Sequence, residues 1–265
     1  MASVESESDT SRPWADGPFK LISIALLGYK PGEKVQPYHA MALEMVTVHN
    51  CLIRGINSVY LQCINVERSS ASVPAFIKYA SVWGQILHTH HTTEEKWIFP
   101  EIEAIIGEKG VMDVNIQQHH AFEEGVNKYA AYLKNAENGE EKYDGTKLKN
   151  IIDSFMPVLR QHLQDEILTL KDFDKYKEKT DWAKWTKDTI AKVVKKTQTS
   201  DGMVVELPFV VHNHDVKFEQ IGSWPPVPSL VFFILKFLYF GKNSDWWQFA
   251  PCDKNGKARD LPYAL

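Results

Sequence analysis

The sequence predicts an all-α protein whose main part is an up-down-up-down four-helix bundle. Four stretches of the 265-residue chain carry apolar residues at helical spacing, and the short loops between them favour antiparallel neighbours. Each stretch also has a histidine on its apolar face, and three of these histidines are followed four residues later by a glutamate. This spacing points both side chains to the same side of a helix. The pattern therefore predicts a metal site inside the bundle.

The chain divides into three predicted parts. Residues 1–37 contain prolines and glycines around one apolar run, which is typical of an irregular N-terminal arm. The first fourteen residues are acidic and polar, and they lack the positive segment and apolar core of a secretory signal, so we expect a tail there. Residues 38–172 form the predicted bundle. Residues 173–265 are predicted to form a C-terminal extension that packs on it as a mostly helical cap.

The first predicted helix spans residues 38–66 and the second spans residues 74–107. Helix one has His49 on a stripe of apolar residues at helical spacing, namely Met45, Leu52, Ile56 and Val59. Helix two begins at Pro74, a residue type that suits the first turn of a helix. Its inward stripe is predicted to consist of Trp83, Leu87, His90, Glu94 and Trp97.

The third predicted helix spans residues 111–136 and the fourth spans residues 148–169. The stripe of helix three consists of Ile116, His119, Phe122, Glu123, Val126, Tyr129 and Leu133. Helix four has the most regular stripe, made of Leu148, Ile152, Phe155, Leu159, His162, Glu166 and Thr169. Pro157 is expected to bend this helix, because proline removes a backbone hydrogen bond.

The C-terminal extension is too apolar to be predicted as disordered. Residues 182–196 are predicted to form a fifth, amphipathic helix with an exposed lysine face. The apolar run at residues 230–240 is much shorter than the roughly 20 residues that span a bilayer, so it predicts a buried helix and no transmembrane segment.

Charge and cysteine content narrow the possible functions. The formal net charge of -4 gives no basic excess, so neither nucleic acid nor an anionic membrane is the expected partner, and a small molecule or a protein is favoured. Of the three cysteines, Cys51 and Cys63 lie about 18 Å apart on the predicted helix one, which is too far for a disulfide. This favours an intracellular, cytoplasmic location.

Helix two contains two overlapping histidine and glutamate pairs with one-turn spacing. His90 and Glu94 lie on the apolar stripe, so we predict that they point into the bundle. His91 and Glu95 lie on a more polar side, for which an exposed face is predicted. Hydrogen bonds from this second pair to the ligands are the alternative that remains open.

Helix three presents the same choice. His119 and Glu123 align with its apolar stripe and are predicted to point inward, whereas His120 and Glu124 align with polar residues.

The HNHD segment at residues 212–215 also has a composition typical of metal ligands, but asparagine and aspartate are common in turns and caps, and we favour a turn there.

Three glutamates on core-facing stripes require a compensating charge, because a buried ionised carboxylate costs several kcal/mol unless it is paired. Imidazole and carboxylate ligands together suit iron, manganese or zinc, and the absence of cysteine disfavours a structural zinc site. Seven ligands exceed what one ion holds, which predicts two ions with bridging carboxylates. The predicted ligands are His49, His90, Glu94, His119, Glu123, His162 and Glu166. The alternative is that each histidine is an ordinary core or surface residue.

Residues 38–170 resemble the hemerythrin family, also called the HHE cation-binding group. The two most specific stretches are HTHHTTEEKWIFP at residues 88–100 and QHLQDEILTL at residues 161–170. The proline-rich, aromatic C-terminal extension is similar to those of fungal members. The resemblance implies two non-haem iron ions, with manganese or a mixed pair as alternatives, and dioxygen as the external ligand.

The resemblance also implies roles for the predicted ligands. His49 and His90 would bind one iron, and Glu94 and Glu166 would bridge the two ions. The other iron would be bound by His119, Glu123 and His162. The sequence differs from oxygen-carrying hemerythrins at two points. Glu123 stands where they have a second histidine on helix three, and the acid of helix four follows its histidine by four residues rather than five.

These differences favour oxidation chemistry over reversible oxygen carriage. A third glutamate adds negative charge, stabilises the ferric state and favours reduction of dioxygen over its release. The iron held by His49 and His90 has the fewest protein donors, so the open position is predicted there. We therefore expect an oxidase or oxygenase that acts on a small organic molecule. The alternative is a non-enzymatic carrier, sensor or store of oxygen or iron, and a cavity of a few hundred Å³ beside that iron would favour an enzyme.

Overall fold

The computed structural model describes residues 13–196, 199, 202–221, 224–225 and 229–265. The described residues form helices and contain no β-strand; a single isolated bridge joins Cys252 and Ala258. The predicted all-α fold is confirmed. The tail predicted for the first fourteen residues lies almost entirely outside the described residues.

Four long helices form the bundle. These are α1 at Ala40–Gln62, α2 at Val73–Thr93, α4 at Asp113–Asn138 and α5 at Gly145–Lys171, and a short helix, α3, at Phe99–Ile106 follows α2. Helix α4 packs on α5 and α2, and α1 packs on the same two helices, which closes the four into a ring. A continuous core of apolar side chains fills the ring. The bundle therefore has one interior that all four helices face.

The ends of α4 and α5 have the expected capping residues. Helix α4 ends at Gly139, whose φ of 75° is left-handed and favours glycine. Helix α5 begins after Asp144, whose side chain accepts a hydrogen bond from the backbone N–H of Lys147 at 2.9 Å. Helix α5 continues through Pro157, which lies on its exposed face. The short capped turn holds α4 and α5 antiparallel.

A π turn at Glu94–Ile98 separates α2 from α3, and the backbone N–H of Phe99 bonds to the carbonyl of Glu94. A π turn adds one residue, which rotates the following inward face by about 100°. Ile98 and Phe99 are therefore buried, whereas Trp97 is 41% exposed. The prediction that Trp97 lies on the inward stripe is wrong for this reason.

Two buried asparagines of α1 hold the N-terminal arm. Asn50 exchanges hydrogen bonds with the backbone of Ile22, both at 2.8 Å. Asn57 donates to the carbonyls of Ala15 and Phe19 at 2.8 Å each and accepts from the N–H of Phe19 at 3.0 Å. The arm therefore lies on α1 through side-chain to backbone bonds.

The described C-terminal segments also pack on the bundle. Helix α6 at Trp182–Lys196 and helix α7 at Leu207–Asn213 contact α1, and helix α9 at Ser244–Trp247 contacts α2. Helix α8 at Ser229–Leu238 exposes Phe233, Phe237 and Leu238. The prediction of a buried helix at residues 230–240 is therefore wrong for these three side chains. None of the described helices has the length and apolar character needed to cross a membrane.

Glu44 of α1 has an unusual environment for a carboxyl group. Burial raises its pKa from 4.5 to about 7, and the indole N–H of Trp224, which donates to its Oε1 at 2.9 Å, lowers the pKa by a smaller amount. The folded protein therefore favours the protonated acid near neutral pH.

We expect Asn57→Ala to lower the free energy of unfolding by about 2 kcal/mol or more, because it leaves three backbone groups of the arm without partners. Asn150→Ala, on the exposed face of α5, is the matched control and should change stability by less than about 0.5 kcal/mol. Chemical denaturation measures both. Equal effects would contradict the role of Asn57 in holding the arm.

We expect Glu44→Gln to make stability less dependent on pH. A raised carboxyl pKa stabilises the fold below pH 4.5, and this contribution is lost as the pH rises towards 7. The variant should therefore match the wild type at pH 4.5 and exceed it at pH 8 by about 2 kcal/mol. Denaturation curves at the two pH values test this, and a variant that loses stability at pH 8 would contradict it.

Candidate metal centre

Two groups of ligand-type side chains meet in the bundle interior. In each group the potential ligand atoms lie within 4.8 Å of one another. The first group consists of His49, His90, Glu94 and Glu166, and the second consists of His91, His119 and His162. All four long helices contribute, and six of the seven predicted ligands lie in these groups.

The first group is compact. His90 Nε2 lies 2.9 Å from Glu94 Oε1, and His49 Nε2 lies 3.4 Å from Glu166 Oε2. The two imidazole Nε2 atoms are 3.1 Å apart. Both carboxylates and the His49 side chain are fully buried.

The two carboxylates also reach the second group. His119 Nε2 and His162 Nε2 are 3.1 Å apart. Glu94 Oε2 lies 3.7 Å from the first of these nitrogens, and Glu166 Oε2 lies 3.9 Å from the second. Each carboxylate therefore lies between the two groups, as a bridging ligand does.

Hydrogen bonds at Nδ1 fix the orientation of three imidazoles. The Nδ1–H of His49 donates to the Leu163 carbonyl at 2.8 Å, and that of His119 donates to Glu95 Oε1 at 2.6 Å. The Nδ1–H of His162 donates to Gln118 Oε1 at 3.1 Å. When these rings are neutral, each Nε2 therefore carries a lone pair and no proton.

In the second group the lone pairs of His119 and His162 therefore face one another, and in the first group the lone pair of His49 faces the Nε2 of His90. Glu94 and Glu166 have four buried oxygens that accept no hydrogen bond from any residue that the structure describes. A metal cation can accept electron pairs from these nitrogen and oxygen atoms and so satisfies all of them at once. Two nitrogens bound at about 2.1 Å and at right angles lie about 3.0 Å apart, close to the Nε2 separation in both groups. The residues present fit a pair of metal ions.

Comparisons with known proteins show which family the chain belongs to. The model of the hemerythrin HHE cation-binding domain matches residues 43–173. The chain is 34% identical over 226 residues to the dimeric xanthone biosynthesis cluster protein R11 of Cryptosporiopsis sp. (strain 8999), over 83% of this chain and 82% of the relative. The chain belongs to the hemerythrin HHE cation-binding family. No solved structure matches it.

Burial controls the protonation of this hemerythrin-family site. It lowers the pKa of His90 to about 4 and that of His162 to about 2, and it moves the pKa of His49 well below its usual value. Burial also raises the pKa of Glu94 well above its usual value, and repulsion from Glu166 adds to the effect. The imidazoles are therefore neutral at pH 7, whereas the carboxylates need a cation to stay ionised.

His91 points towards the site, contrary to the prediction of an exposed face. Its ring stacks on His119 with centroids 4.1 Å apart, and its Nε2 is buried without a hydrogen-bond partner among the described residues. Burial moves its pKa well below the usual value. The inward face of α2 is wide enough to include both histidines of the doublet.

Glu123 lies outside the site, contrary to the prediction that it points inward. Its side chain is 62% exposed, and its Oε2 lies 3.4 Å from His120 Nδ1. The buried face of α4 is centred on Phe122 and Tyr129, on one side of His119, and Glu123 lies on the other side. The sequence signal was Phe122: neighbouring residues of a helix point about 100° apart, so a face that buries Phe122 beyond His119 turns Glu123 away from the core.

A cleft of about 210 Å³ between α2 and α4 reaches the second group. Leu87, Phe122 and Val126 supply apolar walls, and the polar lining consists of His88, His91, Thr92, Glu95, His119, His120, Glu123 and Asn127. The open position was predicted beside His49 and His90, but this cleft meets the other group.

Two further residues orient ligands, and the sequence analysis missed the second of them. Glu95, for which an exposed face was predicted and a hydrogen bond to a ligand was the open alternative, accepts the Nδ1–H of His119. Gln118 accepts the Nδ1–H of His162, and its own amide N–H donates to Asp165 Oδ2 at 2.9 Å, which sets the amide orientation.

We expect Gln118→Leu to weaken metal binding about 10-fold to 100-fold, because the lost acceptor leaves the His162 ring free to turn. Gln117→Leu places the same change on the exposed neighbour and should leave affinity within about twofold. Competition with a coloured chelator measures both. Wild-type affinity in Gln118→Leu would contradict the orienting role.

Proposed function

We propose that the protein binds two non-haem iron ions in this site and activates dioxygen to oxidise a small organic molecule. The observation that carries the proposal is the set of facing, unprotonated donors in the core, which a pair of divalent ions would satisfy. Manganese or a mixed metal pair is compatible with the same nitrogen and oxygen ligands.

The proposed ligand set differs from the sequence prediction by one residue. His49 and His90 would hold one ion, and His91, His119 and His162 would hold the other. Glu94 and Glu166 would bridge the two. His91 takes the place that the sequence assigned to Glu123, so each ion is bound by histidines and two shared carboxylates.

When bound, a pair of ferrous ions supplies electrons for the reduction of dioxygen. The protein's own residues set the conditions for that chemistry. The carboxylate of Glu95 and the carbonyl of Leu163 accept imidazole protons and thereby fix the rings and raise their basicity as ligands. The apolar residues around the site limit water.

Two observations support an enzyme. The cleft between α2 and α4 provides a route from solvent to the second histidine group. The relative of the Cryptosporiopsis strain is named for a dimeric xanthone biosynthesis cluster, and we extend this to an aromatic substrate for the present chain. Glu123 lies outside the site, so its negative charge does not stabilise a ferric state there.

A non-enzymatic carrier, sensor or store of oxygen or iron is the second candidate. The small size of the cleft and the deep burial of His49, Glu94 and Glu166 favour it, since they leave little room beside those ligands. The two candidates differ in what happens to dioxygen. An enzyme consumes it, whereas a carrier releases it unchanged.

The deciding experiment mixes the anaerobically reduced, iron-loaded protein with a measured amount of dioxygen. We expect dioxygen to be consumed, and the spectrum of the reduced protein not to return when the gas is removed. Full recovery of both the dioxygen and the reduced spectrum would contradict an enzyme and support a carrier.

We expect the wild type to contain two metal ions per chain and His91→Ala to bind one of them at least about 10-fold more weakly. His88→Ala removes an exposed histidine one turn earlier and should keep both ions. Metal analysis after dialysis against a chelator distinguishes the variants. Two tightly held ions in His91→Ala, together with one in Glu123→Ala, would restore the ligand set predicted from sequence.

A further inference from the structure

The cleft between α2 and α4 contains a graded series of ligand-type side chains, of which His120 and Glu123 have no role in the proposed chemistry. His120 and Glu123 stand at its mouth, with side chains 69% and 62% exposed. Glu95, further in, is 37% exposed, and the Nε2 of His91 at the inner end is buried. Exposure therefore falls stepwise from the solvent to the metal site.

We propose that this cleft is the route by which divalent first-row metal ions reach the buried site, with Glu123 and His120 as their first contact. The inference rests on the proposed function, since it requires a metal site at the inner end. It gives a role to Glu123, which the sequence predicted as a ligand and the structure places outside the site.

A route of this kind is needed because the site is enclosed. The side chains of His49, Glu94, His162 and Glu166 are fully buried. Moving a bare divalent ion through an apolar core carries a large desolvation cost. Imidazole and carboxylate donors along the cleft can replace the ion's water molecules one at a time, and these are the ligand types that ferrous ions accept.

The geometry of the mouth suits a weak, transient cation site. Glu123 Oε2 and His120 Nδ1 lie 3.4 Å apart, one turn apart on the exposed side of α4. Two donors without a third bind weakly, so an ion can leave again towards Glu95. His119, which bonds to Glu95 at 2.6 Å, then connects this carboxylate to the site.

Charge at the mouth also favours cations. Glu123 and Glu95 line the cleft, and Lys128, on the same helix as Glu123, is paired with Glu124 at 2.6 Å. The local field is therefore negative, and such a field raises the rate at which cations arrive, most strongly at low ionic strength. An ordinary solvated pair on a helix surface would have no effect on metal uptake.

The test measures the rate at which the full-length, metal-free protein takes up ferrous iron under anaerobic conditions, by quenching aliquots with a chelator and counting protected iron. Glu123→Gln and His120→Asn are compared singly and together with the wild type. Glu140→Gln makes the same charge change beyond the far end of α4 and is the matched control.

We expect the double variant to take up iron about fivefold more slowly at low ionic strength, with a smaller difference in high salt, and to reach the same two ions per chain and the same final spectrum. Glu140→Gln should behave as the wild type. An unchanged rate in the double variant overturns the route and leaves the metal site intact. A lower final iron content overturns it as well, because Glu123 or His120 would then be a ligand. Failure of the wild type to bind two ions overturns the proposed function itself.

Discussion

The central constraint on the bundle is the convergence of buried imidazole nitrogens and carboxylate oxygens in its core. His49 and His90 face each other through Nε2 at 3.1 Å, and His119 and His162 repeat this geometry. Such a cluster is unfavourable unless a cation occupies it, because burial removes the water molecules that would otherwise form hydrogen bonds to these nitrogen and oxygen atoms. The hydrogen bonds at Nδ1 maintain the unprotonated Nε2 atoms of His49, His119 and His162. Metal binding and folding of the bundle are therefore linked energetically.

That constraint explains features that packing alone does not require. The π turn rotates α3 after Glu94, so the carboxylate points inward while Ile98 and Phe99 still reach the core. The α5 backbone contributes too, since the Leu163 carbonyl that holds His49 belongs to the turn that begins at His162. The N-terminal arm is tied to Asn50, the residue after His49. Support for the ligands therefore extends well beyond the residues that touch a metal.

The sequence predicted the bundle and most of the cluster because both depend on helical periodicity. Stripes of apolar residues place one face of each helix inward, and His49, His90, His119 and His162 lie on those faces. Periodicity fails where the helix is irregular or the face is broad. Trp97 was misplaced because a π turn has no simple sequence signal. His91 was missed because two adjacent residues can share one broad face.

The error at Glu123 has the largest chemical consequence. Its side chain lies about 110° around α4 from the centre of the buried face at Phe122 and Tyr129, at the boundary where a stripe drawn from sequence is ambiguous. With three glutamates, two divalent ions would keep a net charge of about +1, and with Glu94 and Glu166 alone they would keep about +2. A more positive pair holds electrons more tightly and attracts anionic or electron-rich ligands. On the proposed function, this favours a phenolate-like aromatic substrate that binds close to the metals, so the cleft beside His91 need not enclose the whole molecule.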